Sequence, residues 1–209
     1  MPTVLVVTGP SGAGKGTLIR ELVERVSGIE VTVSATTRKQ RRGEKNGREY
    51  WFLSDEDFLA AVDRGEFLEH VEYVSHHRYG TLRSELARIT DNGHVPLLEL
   101  ETEGALLVKE EVPGAVTIFI SAPVAELERR LRERATESTG EIGERIARAR
   151  KQLEQAGEFD YVIENDNLER AAEELARLVS GLLKGGPGEP VAVPPGPHWS
   201  AATPHSGAD

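Results

Sequence analysis

The sequence predicts an α/β chain: a parallel sheet flanked by helices and broken by two polar excursions. Three observations support that expectation. First, short apolar runs of strand length alternate with helical stretches along most of the 209 residues. Strands separated by helices pair in parallel, because a helical crossover returns the chain to the same end of the sheet. Second, a glycine-rich segment, Gly9-Pro10-Ser11-Gly12-Ala13-Gly14-Lys15-Gly16-Thr17, joins the first strand to the first helix. Third, the stretch 185–209 turns to Pro and Gly and holds six of the eleven prolines. Such a composition cannot build a packed element, so the fold is expected to end near 184 and the tail to be disordered.

The elements follow in order. Residues 3–8 carry the apolar run Val4-Leu5-Val6-Val7 and form the first strand; 16–26, with Leu18-Ile19-Arg20-Glu21-Leu22-Val23, form the first helix. The β-branched stretch 29–34 is a second strand. From about 35 to 80 the chain is polar and aromatic-rich, and its one expected element is a short helix opened by Ser54-Asp55-Glu56-Asp57, a capping-box-like start. A helix over 81–91 leads to an apolar strand at 95–101 that ends in Glu99 and Glu101. A helix at 102–111, a strand at 115–121 and a helix at 123–134 continue the alternation. A second excursion, 132–145, is charged and carries Thr136, Ser138, Thr139 and Gly140. A helix at 139–156, a strand at 160–164 and a helix at 167–184 complete the pattern.

Composition narrows the class. Charged residues make up 29% and hydrophobic ones 38%, ordinary values for a water-soluble chain of one substantial core. No apolar segment is long enough to span a bilayer, and no signal-like stretch precedes the first strand. The expectation is a cytoplasmic protein with no membrane partner. With no cysteine there is neither a disulfide nor a thiolate zinc site. A formal charge of −10 argues against coating nucleic acid, which requires a basic face. Positive charge is nevertheless concentrated at Arg38-Lys39-Gln40-Arg41-Arg42, with Lys45 and Arg48 close behind. Alone, such a run is a solvated loop; in an acidic protein it also focuses the field on an anionic ligand. The adjacent His76 and His77 lack the spacing of a helical metal pair, and no metal ligand set can be named. Oligomeric state is left open.

The glycine segment is built for phosphate. Its Gly-x4-Gly-Lys spacing between strand and helix lets backbone N–H groups surround nucleotide phosphates, with Lys15 reaching the same oxygens. The helix N-terminus adds a favourable dipole. Residues 9 to 17 are therefore the candidate ATP cradle. The strict pattern places Ser or Thr directly after the lysine to ligate Mg²⁺; here Gly16 stands there and Thr17 follows. Mg²⁺ is thus expected on phosphate oxygens and water, with a carboxylate nearby.

Beyond this loop, ordered clusters resemble the guanylate kinase family of ATP:GMP phosphotransferases. They are Val33-Ser34-Ala35-Thr36-Thr37-Arg38-Lys39 with Arg41 and Gly43-Glu44; Asn46-Gly47-Arg48-Glu49-Tyr50-Trp51-Phe52; Gly65-Glu66-Phe67-Leu68-Glu69; Tyr79-Gly80-Thr81; Leu97-Leu98-Glu99-Leu100-Glu101; and Asn165-Asp166. The resemblance runs from about residue 3 to 184. It implies a P-loop NTPase-like fold over 1–184, with a GMP-binding insertion at about 35–80 and a small lid at about 132–145. It also implies that Ser34, Arg38, Arg41, Tyr50, Glu69, Tyr79, Thr81, Glu99 and Glu101 bind GMP. Arg134 and Arg145 match the lid arginines that close over ATP, and Asn165 matches the residue that borders adenine. Arg129, Arg130, Arg132 and Arg148 compete for the lid assignment; any one of them also reads as a solvated helix residue paired with Glu126, Glu128 or Glu133. The chain departs from the family at Glu101, usually Asp, at Glu103, often Gln, and at Ala135, often Gly.

The chemistry of these residues agrees with the resemblance. Planar guanidinium groups at Arg38 and Arg41 suit a dianionic phosphate by bidentate contact. Ser34, Tyr50 and Tyr79 offer neutral O–H donors, and the Thr81 hydroxyl could read guanine O6. Guanine presents two adjacent donors that one carboxylate, Glu69, can accept, whereas adenine would leave that carboxylate facing an acceptor. Taken alone, a glutamate at 69 is an exposed acid. The implied reaction moves the ATP γ-phosphoryl group to GMP, or dGMP, and needs no side-chain nucleophile. Positioning and charge neutralisation suffice, with Lys15, Arg38, Arg41, Arg134 and Arg145 as the catalytic residues. Two other readings stay open: a related P-loop kinase for another small phosphate ester, suggested by the Lys15-Gly16-Thr17 order, and a non-catalytic binding module, opposed by the intact Gly9, Gly14 and Lys15.

Overall fold

A computed structural model describes residues 2–72, 76–134 and 139–185, and the side chains of Arg134 and of residues 139–141 lie outside that description. The tail beyond 185, read as disordered, lies outside the described residues, as do Ala135 and the other positions of 135–138 in the second excursion.

The first strand, β1 (Val4–Thr8), is buried along its whole length. It leads through the glycine loop into α1 (Lys15–Arg25), which buries Leu18, Ile19 and Leu22 on one face. Next come β2 (Ile29–Val31), β3 (Ala35–Thr36), β4 (Trp51–Phe52), α2 (Asp55–Asp63), β5 (Phe67–Glu72) and β6 (Arg78–Leu82). The chain then runs through α3 (Arg83–Asp91), β7 (Val95–Glu99), α4 (Thr102–Glu111), β8 (Ala115–Ser121), α5 (Val124–Arg134) and α6 (Thr139–Glu154). A short 3-10 turn, Ala156–Glu158, precedes β9 (Tyr161–Glu164) and α7 (Leu168–Leu183).

Five strands form one parallel sheet in the order β2-β7-β1-β8-β9. Helices cover it, with α1 and α7 packed on each other and α4 lying across β1 and β8. Burial on both faces explains why β1, β7 and β8 read as continuous apolar runs rather than alternating ones. The expected mixed α/β fold, a parallel sheet flanked by helices, is what forms.

The first excursion is more ordered than its sequence suggested. It contains a second sheet of four strands, β4-β3-β6-β5, in which β3 pairs parallel to β4 and antiparallel to β6, and β6 pairs antiparallel to β5. The sequence reading ran the second strand on to 34, found no strand between 35 and 80, and began a helix at 81. In the structure β2 stops at Val31, and Thr81 and Leu82 belong to β6. Two-residue strands such as β3 and β4 are too short to show a period of two, so only their partners define them. The small sheet has its own core of Ala35, Phe58, Ala61 and Phe67, with the two phenyl rings stacked at 4.4 Å. The expected cap holds: Ser54 Oγ accepts from the Asp57 N–H at 3.0 Å, and three acids sit at the positive end of α2.

Candidate active site

The glycine loop is shaped by two close approaches. Gly9 has φ +137°, and a Cβ there would lie 2.1 Å from the Ile120 carbonyl oxygen on β8. Gly14, the residue before α1, has φ +88°, and a Cβ there would lie 2.5 Å from Asn165 Nδ2. Only glycine meets both the left-handed backbone and the missing space. Lys15 opens α1 and curls over its own loop, donating to the Gly9 carbonyl at 2.6 Å and the Pro10 carbonyl at 3.3 Å. Burial pushes its pKa down, while the carboxylates of Glu101 and Glu99 pull it back up.

Asn165 follows β9 and is buried beneath the loop, where its Nδ2 donates to the Ala13 carbonyl at 2.7 Å. It therefore braces the loop from below, and it is not among the residues that line the cavity described next. Two arginines reach the loop, one from α5 and one from α6. Arg145 Nη2 contacts Ser11 Oγ at 3.3 Å, and Arg130 Nη1 donates to the Gly12 carbonyl at 3.1 Å while its Nε holds Glu126. Sequence reasoning did not assign Arg130; an i,i+4 partner at Glu126 makes it look like a surface pair until the loop is folded beside it. Arg129 and Arg132 do pair with the helix acids, Arg129 with Glu126 and Glu133 and Arg132 with Glu128. Arg134 ends α5, and its side chain lies outside the described residues.

A cavity of about 1070 Å³ lies between Lys15, at the end of the loop, and the second sheet. Lys15, Glu99, Glu101 and Arg145 line it on the core side, and Ser34, Tyr50, Glu69 and Tyr79 on the other. The structure thus brings together eight of the residues singled out from sequence. Glu99 and Glu101 stand at the carboxyl end of β7, next to central β1, where open parallel sheets bind ligands. Burial raises the pKa of Glu99, against Lys15, and Glu101 adds to the rise. Glu101 accepts from Gln152 Nε2 of α6 at 3.0 Å, a partner that no local pattern reveals.

Glu69 is 6% exposed, and its Oε1 accepts the Thr81 hydroxyl at 2.8 Å across the β5–β6 pair. Burial pushes its pKa up, and the Thr81 hydroxyl and backbone offset part of that rise. Thr81 is wholly buried and does not line the cavity, so its proton serves Glu69 rather than the open space. Arg38 and Arg41 also stand back from the cavity wall. Both Arg38 terminal nitrogens bond Glu44, at 3.1 and 2.8 Å, and its guanidinium lies 5.2 Å from the Tyr50 ring centre and 5.6 Å from that of Phe52. The Arg41 side chain is exposed, and its backbone N–H donates to Glu44 Oε2 at 2.7 Å. Glu44 therefore gathers both arginines into one loop, a role that the sequence reading left unassigned.

Among the described residues no group of three acids or histidines could hold a metal by itself. Glu99 nevertheless fits an ion that arrives with its own ligands. Its Oε2 lies 3.8 Å from where a Cβ at Gly16 would stand, so the missing side chain leaves room between carboxylate and loop. No described helix is long and apolar enough to cross a membrane.

Comparison with known proteins agrees with this geometry. A family model described as guanylate kinase matches residues 1–182. The chain is 45% identical over 177 residues to a guanylate kinase of Synechococcus sp. (strain JA-3-3Ab), covering 84% of this chain and 81% of that one. It is 44% identical over 184 residues to a guanylate kinase of Rubrobacter xylanophilus, covering 88% and 96%. The crystal structure of guanylate kinase from Anaplasma phagocytophilum matches it with a TM-score of 0.67 at 31% identity, over 86% of this chain and 85% of that one.

Proposed function

We propose that this chain, which belongs to the guanylate kinase family, transfers the γ-phosphoryl group of ATP to the α-phosphate of GMP, and of dGMP, giving ADP and GDP. The observation that supports it best is a single cavity lined on one side by Lys15, the lysine of the glycine loop, and on the other by a buried, hydroxyl-anchored carboxylate. A phosphate oxygen of the acceptor attacks the γ-phosphorus as the bond to the β-phosphate oxygen breaks, and no proton need move before transfer.

Each group then has one task. The loop N–H groups and Lys15 hold the donor phosphates. Arg38, swung from Glu44, and the exposed Arg41 take the acceptor phosphate together with Ser34, Tyr50 and Tyr79. Glu69 accepts the two adjacent N–H donors of guanine, with Thr81 fixing its orientation. Arg145 and Arg134 close from the lid, neutralise the charge on the transferring group and exclude water. Asn165 supports the loop beneath ATP, with its neighbourhood bordering the adenine. Mg²⁺ carried with ATP would neutralise charge on the β- and γ-phosphates, and Glu99 and Glu101 would hold its water shell. On this reading residues 35–80 are the acceptor subdomain, 132–145 the lid, and the enzyme is cytoplasmic.

The test is a product assay with ATP, Mg²⁺ and each of GMP, dGMP, AMP, CMP and UMP. ADP should form with GMP and dGMP far faster than with the others. Equal or better use of AMP, or of a sugar phosphate, would overturn the reading, and binding of GMP without product would point to a non-catalytic module.

A further inference from the structure

The two oxygens of Glu69 have different surroundings. Oε1 is held by the Thr81 hydroxyl at 2.8 Å. Oε2 faces α4 at Gly104: a Cβ on that residue would lie 3.2 Å from Oε2 and 3.7 Å from Glu69 Cδ. Gly104 sits within the helix and has no left-handed backbone to require glycine. Glycine there weakens the helix relative to alanine and gains nothing locally. The space that it leaves is part of the cavity, since Gly104, Glu69 and Leu107 all line it. Leu107 lies three residues on, on the same helix face.

We propose that Gly104 is a specificity-determining residue for the acceptor base, acting through Glu69. Its missing side chain keeps Oε2 open to the paired N–H donors of a guanine edge sliding along α4, while Leu107 offers an apolar surface to the ring. The proposal rests on the reading of this cavity as a guanine nucleotide site. An alanine methyl at 104 would force Glu69 to shift by a few tenths of an ångström against its Thr81 anchor, or would stand in the path of the base.

The experiment compares wild type, Gly104→Ala, Glu69→Gln and the double variant, measuring KM for GMP, KM for ATP and thermal melting. Gly104→Ala should raise the KM for GMP about tenfold, the scale of a sub-ångström misplacement or one misfitting methyl. The KM for ATP should stay within about twofold, and the melting temperature should hold or rise because alanine favours the helix. In the Glu69→Gln background the same methyl should cost less than about threefold, because the oxygen that it crowds no longer anchors the base; only such non-additivity shows action through Glu69. A GMP KM within twofold of wild type would overturn the proposal, as would a full additive loss in the double variant. So would a fall in melting temperature with parallel loss for both nucleotides, the mark of a packing residue. Failure of the functional reading is separately visible, as a wild-type protein that makes no GDP.

Discussion

Replacing Glu69 by glutamine tests the recognition chemistry most directly. The carboxylate is 6% exposed, with one oxygen on Thr81 and the other facing the cavity. A carboxylate can accept both adjacent guanine donors, and each hydrogen bond to a charged acceptor is worth about 1.5–3 kcal/mol. The amide keeps one acceptor and turns an NH₂ group toward the second donor, so about 2–4 kcal/mol is lost. At about 1.4 kcal/mol per factor of ten, kcat/KM for GMP should fall roughly 30- to 1000-fold. AMP, whose ring nitrogen accepts, should gain relative to GMP. The folded protein should not suffer. Burial holds the Glu69 pKa above its ordinary value; an acid with a raised folded-state pKa stabilises the fold when protonated, below the unfolded pKa, and that contribution is lost as pH rises through the folded value. At neutral pH its charge is therefore a cost that the amide removes. The same shift gives the wild type an acidic limb: kcat/KM for GMP drops as pH falls through the raised Glu69 pKa, and this limb should vanish in the variant. A coupled ADP assay with GMP and AMP across pH, alongside a thermal melt, reads all of this. GMP efficiency within threefold of wild type in a folded variant would refute the assignment of Glu69 to the base.

Three further outcomes follow from the same geometry. Lys15→Met removes the cation held over the loop carbonyls and should lower turnover by about 10²–10³-fold or more; single-turnover kinetics within tenfold of wild type would contradict its role on the donor phosphates. Gly9→Ala puts a methyl 2.1 Å from the Ile120 carbonyl at φ +137°, and should cost about 3 kcal/mol of stability. An unchanged urea midpoint would show that the loop can move off β8. Glu85, 3% exposed at the start of α3, accepts from the Val33 N–H at 3.1 Å and from Arg88 at 3.1 Å. Glu85→Ala leaves that N–H unpaired next to Ser34, and with Arg88 partly solvated and still on Glu30 the loss should be about 2 kcal/mol. Denaturation that coincides with wild type would remove Glu85 from the join between the two sheets.

The parts legible from sequence are those governed by local rules. The β1–loop–α1 unit is written in a run of nine residues, because a phosphate cradle needs glycines at fixed offsets and a lysine at the helix start. The cap at Ser54 and the apolar runs of β1, β7 and β8 are equally local. The second sheet was missed because its shortest strands, Ala35–Thr36 and Trp51–Phe52, are defined by partners far along the chain, Ala35 opposite Gly80 and Trp51. Asn165 lies buried under Ala13 rather than at the cavity wall for the same reason: the loop and the end of β9 meet only through β1 and β8.

Residue type and order alone determined the fold class and pointed to a phosphate loop and an acceptor set, because glycine spacing, apolar runs and the fork of arginine carry their chemistry wherever they stand. Tertiary structure decided how those residues are used. Only packing could show that Thr81 spends its proton on Glu69, that Glu44 holds Arg38, and that Gly104 stands against Glu69 Oε2. Each of these is a through-space contact, made when β5 pairs with β6, when α4 lies beside Glu69 and when the loop after β3 turns back on itself, and its energy depends on burial that no local pattern encodes.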